Sequence, residues 1–184
     1  MRNDFFNEMV TGGKLHMFSI YTDLGAHRRI KWTAAAIAKL AGPQWQCSSE
    51  MWKLDLLMAN PRMRDMLSRD GAKADVLIVV VGSLEQRRFD LMQWLDSLTP
   101  LEPGRFGLLI GLLGDEDSKA QELDWTAKQL IRCAHNANRK FIWHWMGHHS
   151  MEDSDWLTES VDALVSHKQP ALESPLLRQT VAAA

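Results

Sequence analysis

Cysteine is scarce in this sequence. There are 2 in 184 residues, Cys47 and Cys133, with neither CxxC nor CxxxC spacing. That argues against a disulfide framework and a cysteine-based zinc site, and free thiols suit a reducing compartment. An excess of one charge is also missing. The formal net charge is -2, so no global field draws the chain to nucleic acid or to an anionic membrane. The basic pairs Arg28-Arg29, Arg87-Arg88 and Arg139-Lys140 fall in three separate stretches and read as solvated faces rather than a nucleic-acid footprint. The longest apolar runs are strand-length, well short of a membrane span. Met1 to Gly13 contains Asp4 and Glu8 and no apolar core, so it is not read as a signal peptide. These absences predict a soluble cytoplasmic domain. Gly-x-x-x-x-Gly-Lys and Gly-x-Gly-x-x-Gly are missing too, which disfavours the two common phosphate-cradling routes to nucleotide binding. Val81-Gly82-Ser83-Leu84-Glu85 lacks both outer glycines of a hydrolase nucleophile elbow. Duty as a helix N-cap accounts for Ser83.

What is present begins with a hydrophobic content of 46% against 24% charged residues, enough for one sizeable core. Ala74 to Ser83 organises the rest. Six consecutive apolar residues, Val76 to Val81, five of them β-branched, stand between Asp75 and Gly82-Ser83. A strand with one wet face alternates; a continuous β-branched run fits a strand covered on both faces, as inside a parallel sheet. Phe106 to Leu113 is a second such run, and Gly107 and Gly111 within it predict close packing. Leu15 to Tyr21 reads as the first strand. Trp45 to Leu54 alternates and reads as a half-exposed edge strand, and Lys140 to Met146 as the last strand.

Helices are predicted between the strands. Leu24 to Ala41 places Ile30, Ala34, Ile37 and Ala41 on one face and stops at Gly42-Pro43. Asn60-Pro61 starts a second helix carrying Met63, Met66 and Leu67, which ends at Gly71. Ser83 with Gln86, and Ser118 with Gln121, form capping boxes for the third and fourth. The third turns Phe89, Met92 and Leu95 to the sheet; the fourth turns in Leu123, Ala127, Leu130, Ile131 and Ala134. Asp155 to His167 is the fifth. Residues 1–13 are expected to form an arm, 14–167 the domain and 168–184 a tail. Strand and helix thus alternate five times. That predicts a three-layer α/β/α sandwich with a five-stranded parallel sheet in the order 2-1-3-4-5.

From Leu15 to His167 the element order and strand character resemble the response-regulator receiver and flavodoxin superfolds. The receiver resemblance implies an acidic pair after the first strand, a phospho-accepting Asp ending the third, a Ser or Thr ending the fourth and a Lys ending the fifth. The chain offers Asp23 at the first position, then Val81-Gly82-Ser83, Leu113-Gly114-Asp115 and Trp145-Met146-Gly147, so the resemblance implies a relative without the phosphorylation site. The flavodoxin resemblance implies a hydroxyl-rich loop for the FMN phosphate after the first strand. Thr22-Asp23-Leu24-Gly25-Ala26 supplies one hydroxyl and an acid that repels phosphate.

Sites in open parallel sheets form beyond the carboxyl ends of the strands. The candidate ligand-binding residues are therefore Thr22, Asp23, Gly82 and Ser83. Asp115 and Asp117, with His144 and His148, are candidate ligands for a divalent metal between the last two strands. A solvated acidic turn and an exposed His-rich loop explain the second group more simply. No cofactor is signalled by a motif; a divalent metal and FMN are the two alternatives. The 8 Trp and 10 Met are unusual; the Trp are spread along the chain and read first as packing at the rim of one core, while amphipathic rings also suit an interface with a partner. The resulting expectation is a non-catalytic, receiver-like interaction domain acting through a protein partner or as a homodimer, without nucleic acid or membrane. The alternative is a ligand-binding protein or metal-assisted enzyme.

Overall fold

The computed structural model describes residues 13–21, 24–81, 85–114, 120–145 and 154–169. Its strands are β1 (Lys14–Tyr21), β2 (Gln46–Lys53), β3 (Val76–Val81), β4 (Leu108–Leu113) and β5 (Lys140–Trp145). The helices are α1 (Leu24–Ala41), α2 (Leu54–Ala59), α3 (Pro61–Lys73), α4 (Glu85–Asp96), α5 (Ala120–Asn136) and α6 (Asp155–Lys168). All strands pair in parallel, in the predicted order β2-β1-β3-β4-β5. Every residue of β3 and β4 is buried, because each strand is flanked on both sides and covered on both faces. β2 keeps Gln46, Ser48, Ser49 and Glu50 exposed, as befits a polar edge.

Alternation along β3 divides the interior into two cores. Leu77, Val79 and Val81 join Leu54, Leu57, Leu67, Leu91, Trp94 and Leu130 under α2 to α5. Val76, Ile78 and Val80 join Ile30, Ile37, Leu157, Val161 and Leu164 under α1 and α6. Asn60 caps α3 as its sequence predicts, accepting from the Met63 amide at 3.2 Å, with Pro61 following. The two expected capping boxes start at Ser83 and Ser118, which lie outside the described residues, as do 1–12 of the arm and 170–184 of the tail.

Three side chains expected in the core face outward. Phe89 is 64% exposed, because the buried stripe of α4 is Leu91, Met92, Trp94 and Leu95, and Phe89 lies about 140° around the helix from its centre. Ile131 is 52% exposed, on the shoulder of the α5 stripe formed by Ala127, Leu130 and Ala134. Met66 is also exposed, off the Leu67 and Gly71 face of α3. The short helix α2 follows β2 directly and was not foreseen, the expected strand having run to Leu54; its Leu54 and Leu57 are both buried. β4 begins two residues after Phe106, and Gly107 is indeed a close approach: a Cβ there would stand 2.4 Å from Leu101 Cδ1 and 3.0 Å from an Arg139 guanidinium nitrogen.

At the amino end of the sheet, charge ties the layers together. Asp75 accepts from the His16 amide (2.8 Å), from Arg105 (3.1 Å) and from Lys168 Nζ (2.7 Å). Its own amide and carbonyl bond His16 and Leu108. Burial alone would raise this carboxyl, but those donors and cations hold it below the usual carboxylate range. Beside it, buried Arg139 donates to the carbonyls of Gly71, Ala72 and Ala74 and so caps the end of α3. Burial and the neighbouring Arg105 push Arg139 down to about 10, which still leaves it cationic at neutral pH.

Candidate functional site

The carboxyl ends of the strands form a crest at Tyr21, Val81, Leu113 and Trp145. Strand order reverses between β1 and β3, which is where open sheets of this topology leave a crevice. Thr22, Asp23, Gly82 and Ser83 belong to that crevice by sequence, and Asp115, Asp117 and His148 to the neighbouring loops; all seven lie outside the described residues. His144 is described. It sits on β5 opposite Leu112, with its ring stacked on Trp156 of α6 at 4.7 Å between centroids and 11° between planes. Among the described residues no group of three or more His, Cys, Asp or Glu is placed to hold a metal.

Two arrangements at the crest were not foreseen. First, Arg29 reaches from α1 to donate to the Gly114 carbonyl at 2.9 Å, while the Gly114 amide donates to Val81 O at 2.9 Å. Gly114 turns the chain off β4 with φ +79, a conformation that suits glycine. A Cβ there would also meet Leu123 at 2.9 Å and the Trp145 ring at 3.1 Å. Tyr21 and His27 pack edge to face nearby, 5.5 Å apart. One backbone turn thus joins β3, β4 and α1, and it brings a guanidinium to the end of β4.

Second, an open cleft of about 550 Å³ lies between the first turns of α4 and α5, lined by Arg88, Phe89, Gln121, Glu122 and Trp125. Arg88 pairs with Glu122 at 3.5 Å. Its Nε is buried and has no hydrogen-bond partner among the described residues. Phe89 and Trp125, the latter 46% exposed, hold apolar surface against water. A guanidinium beside two aromatic rings can hold a planar group with an acceptor, or an apolar side chain of a partner. The thiols do not suit nucleophilic work: burial raises Cys47, and burial with the adjacent Asp96 carboxylate pushes Cys133 up to about 12. Trp125 was legible in principle, since it stands about 170° from the apolar stripe of its helix; Arg29 and Arg88 carried no such signal.

No protein-family model matches the chain, and the comparison with curated proteins finds no match. Among solved structures, an oxidoreductase from Corynebacterium diphtheriae aligns over 84% of this chain and 96% of its own, at 13% identity and a TM-score of 0.55. An oxidised flavodoxin 1 from Bacillus cereus aligns over the same shares at 13% identity, with a TM-score of 0.44. Identity this low speaks to fold alone. Together with the strand order, the first likeness makes the fold flavodoxin-like. Among the described residues, no helix is long and apolar enough to cross a membrane.

Proposed function

We propose that this chain is a non-catalytic, receiver-like domain, without a phospho-accepting Asp, that works by binding protein. One observation carries the reading. The exposed large apolar side chains of the described residues are Leu56, Met66, Phe89, Trp125, Ile131 and Trp143, and all lie on the side of the sheet covered by α2 to α5. The α1 and α6 side contributes none of them. Scattered surface apolar groups are ordinary, but their gathering on one side supports a reading in which another molecule covers that surface. The sequence supports the absence of phosphotransfer, since Val81-Gly82-Ser83 stands where a receiver carries its Asp.

A second reading, binding of a planar ligand such as FMN, is favoured by the cleft at Phe89 and Trp125 and by the buried Arg88 Nε, which has no hydrogen-bond partner among the described residues. The two readings separate by thermal denaturation with FMN, zinc, magnesium or manganese, alongside an association assay on Phe89→Ser and Trp125→Ser variants. The interaction reading expects an unmoved melting temperature and association weakened several-fold by the substitutions. A melting temperature raised by several degrees with one of these ligands, or association indifferent to both substitutions, overturns it.

A further inference from the structure

We infer that the groove between α3 and α4 is a binding site for a small zwitterion of the amino-acid type. The inference goes beyond the interaction reading and does not depend on it. The groove encloses about 310 Å³. From α3 it is lined by Arg64, Asp65 and Ser68, from α4 and the residue after it by Gln93, Trp94 and Ser97, and at one side by Met58 of α2. Arg64 and Ser68 stand one helical turn apart, as do Gln93 and Ser97, and residues at that spacing share a face. Each helix therefore turns a polar side to the gap.

The charged cluster around Asp75 satisfies its polar groups within the chain; this groove does not. Trp94 is only 2% exposed, yet its indole Nε1–H has no hydrogen-bond partner among the described residues. No hydrogen bond or ion pair among them involves the side chains of half-buried Arg64, Asp65, Ser68 or Gln93. The Ser97 hydroxyl donates to the Trp94 carbonyl at 2.6 Å, which leaves its oxygen able to accept. A buried indole N–H ordinarily finds an acceptor. Trp45 and Trp156 also have unbonded indole nitrogens, so the free charges beside Trp94 are what set it apart. The ring is wedged in place. A Cβ on Gly71 would stand 3.3 Å from its Cη2, and Phe18 stacks on it with 6.0 Å between centroids. A ligand therefore meets a donor already held in position.

The donor set decides what the ligand carries. An indole N–H and a guanidinium only donate, and together they call for an anionic acceptor. Asp65 only accepts and calls for a cationic donor; Ser68 and Gln93 can do either. A simple anion would satisfy Arg64 and leave Asp65 facing like charge, and a simple cation would do the reverse. One molecule with a carboxylate and an ammonium group satisfies both. Its carboxylate belongs at Trp94 and Arg64, which are less exposed than Asp65, and its ammonium at Asp65 on the rim. Met58 supplies an apolar wall for the rest. The volume lies at the low end for small-molecule sites, which suits a free amino acid and not a dinucleotide.

The experiment is isothermal titration calorimetry of the full chain with each natural L-amino acid, followed for a binder by nitrogen-15 NMR of the indole groups. We expect a binder with a Kd of about 1 mM or tighter, which shifts the indole signal that Trp94→Phe removes. Arg64→Gln and Asp65→Asn, at positions that are not buried, should keep the melting temperature and each weaken binding at least tenfold. The binder's analogue without its ammonium, or without its carboxylate, should also bind at least tenfold more weakly. For leucine these are 4-methylpentanoate and 3-methylbutylamine. The site is overturned if no amino acid binds below about 10 mM, or if a binder leaves the Trp94 signal unmoved. An analogue of one charge that binds as tightly as its parent overturns the zwitterion. Where W94F does not fold, R64Q and D65N carry the test, and binding indifferent to both overturns the site. None of these results bears on the interaction reading, which falls only with the Phe89, Trp125 and ligand measurements above.

Discussion

The two ends of the sheet are held by different chemistry. At the amino end, Asp75 is nearly removed from water and serves β1, β3, α6 and the loop before β4 at once, while Arg139 closes the end of α3 beside it. At the carboxyl end, the described ties are a glycine turn, one guanidinium-to-carbonyl bond and aromatic edges. Among the described residues, the first end spends buried charge on rigidity, and the second is tied by fewer polar contacts. The contrast suits the general rule that open parallel sheets bind ligands beyond the carboxyl ends of their strands.

Substitutions at the two ends test that contrast directly. The largest effect is expected for Asp75→Asn, which leaves Arg105 and Lys168 without their shared anion. Urea denaturation at pH 7 should show a loss of about 3–5 kcal/mol. Because the folded carboxyl titrates below its unfolded value, the stability it contributes is fully present above about pH 4 and is lost as pH falls through the folded value. The gap between wild type and variant should therefore close in acid, and a gap as wide at pH 2.5 as at pH 7 would remove the electrostatic account. Next comes Gly107→Ala, whose methyl must displace Leu101 and press on Arg139; about 1–3 kcal/mol is expected from overpacking, read from the same denaturation curves. Smallest is Arg29→Ala at the other end, at about 1 kcal/mol for a partly exposed hydrogen bond. If Arg29→Ala cost as much as Asp75→Asn, the two ends would not differ in the way described.

The fold was readable because its signals are local. A six-residue β-branched run at Val76 to Val81, an alternating stretch before Leu54 and Gly or Pro at helix ends each report on their own neighbourhood, and strand order follows from which runs are covered twice. The amino-end cluster was not readable. Asp75 bonds His16 59 residues away, and Arg139 bonds Ala74 across 65; nothing in either stretch marks the partner. Phe89 and Ile131 misled for a different reason. Both lie at helical spacing from true core residues, but a step of three drifts around a helix by about 60°, so that Phe89, three before Met92, and Ile131, three before Ala134, leave the buried face. Of the candidate site residues, His144 alone falls among the described residues, and there an aromatic stack on Trp156 was the part its sequence did not show.

One contact at the amino end bears on how the chain can be handled as a unit. Lys168, in the last turn of α6, donates to the carbonyl of Lys14, the first residue of β1, at 2.6 Å. The first strand and the last helix therefore begin and end within a side chain's length of each other. A short linker could join the two and new ends be opened elsewhere, for instance in the exposed turn at Pro103-Gly104, to give a circular permutant that keeps all five strands in place. By the same geometry the domain can be grafted into a surface loop of a host protein without forcing that loop apart.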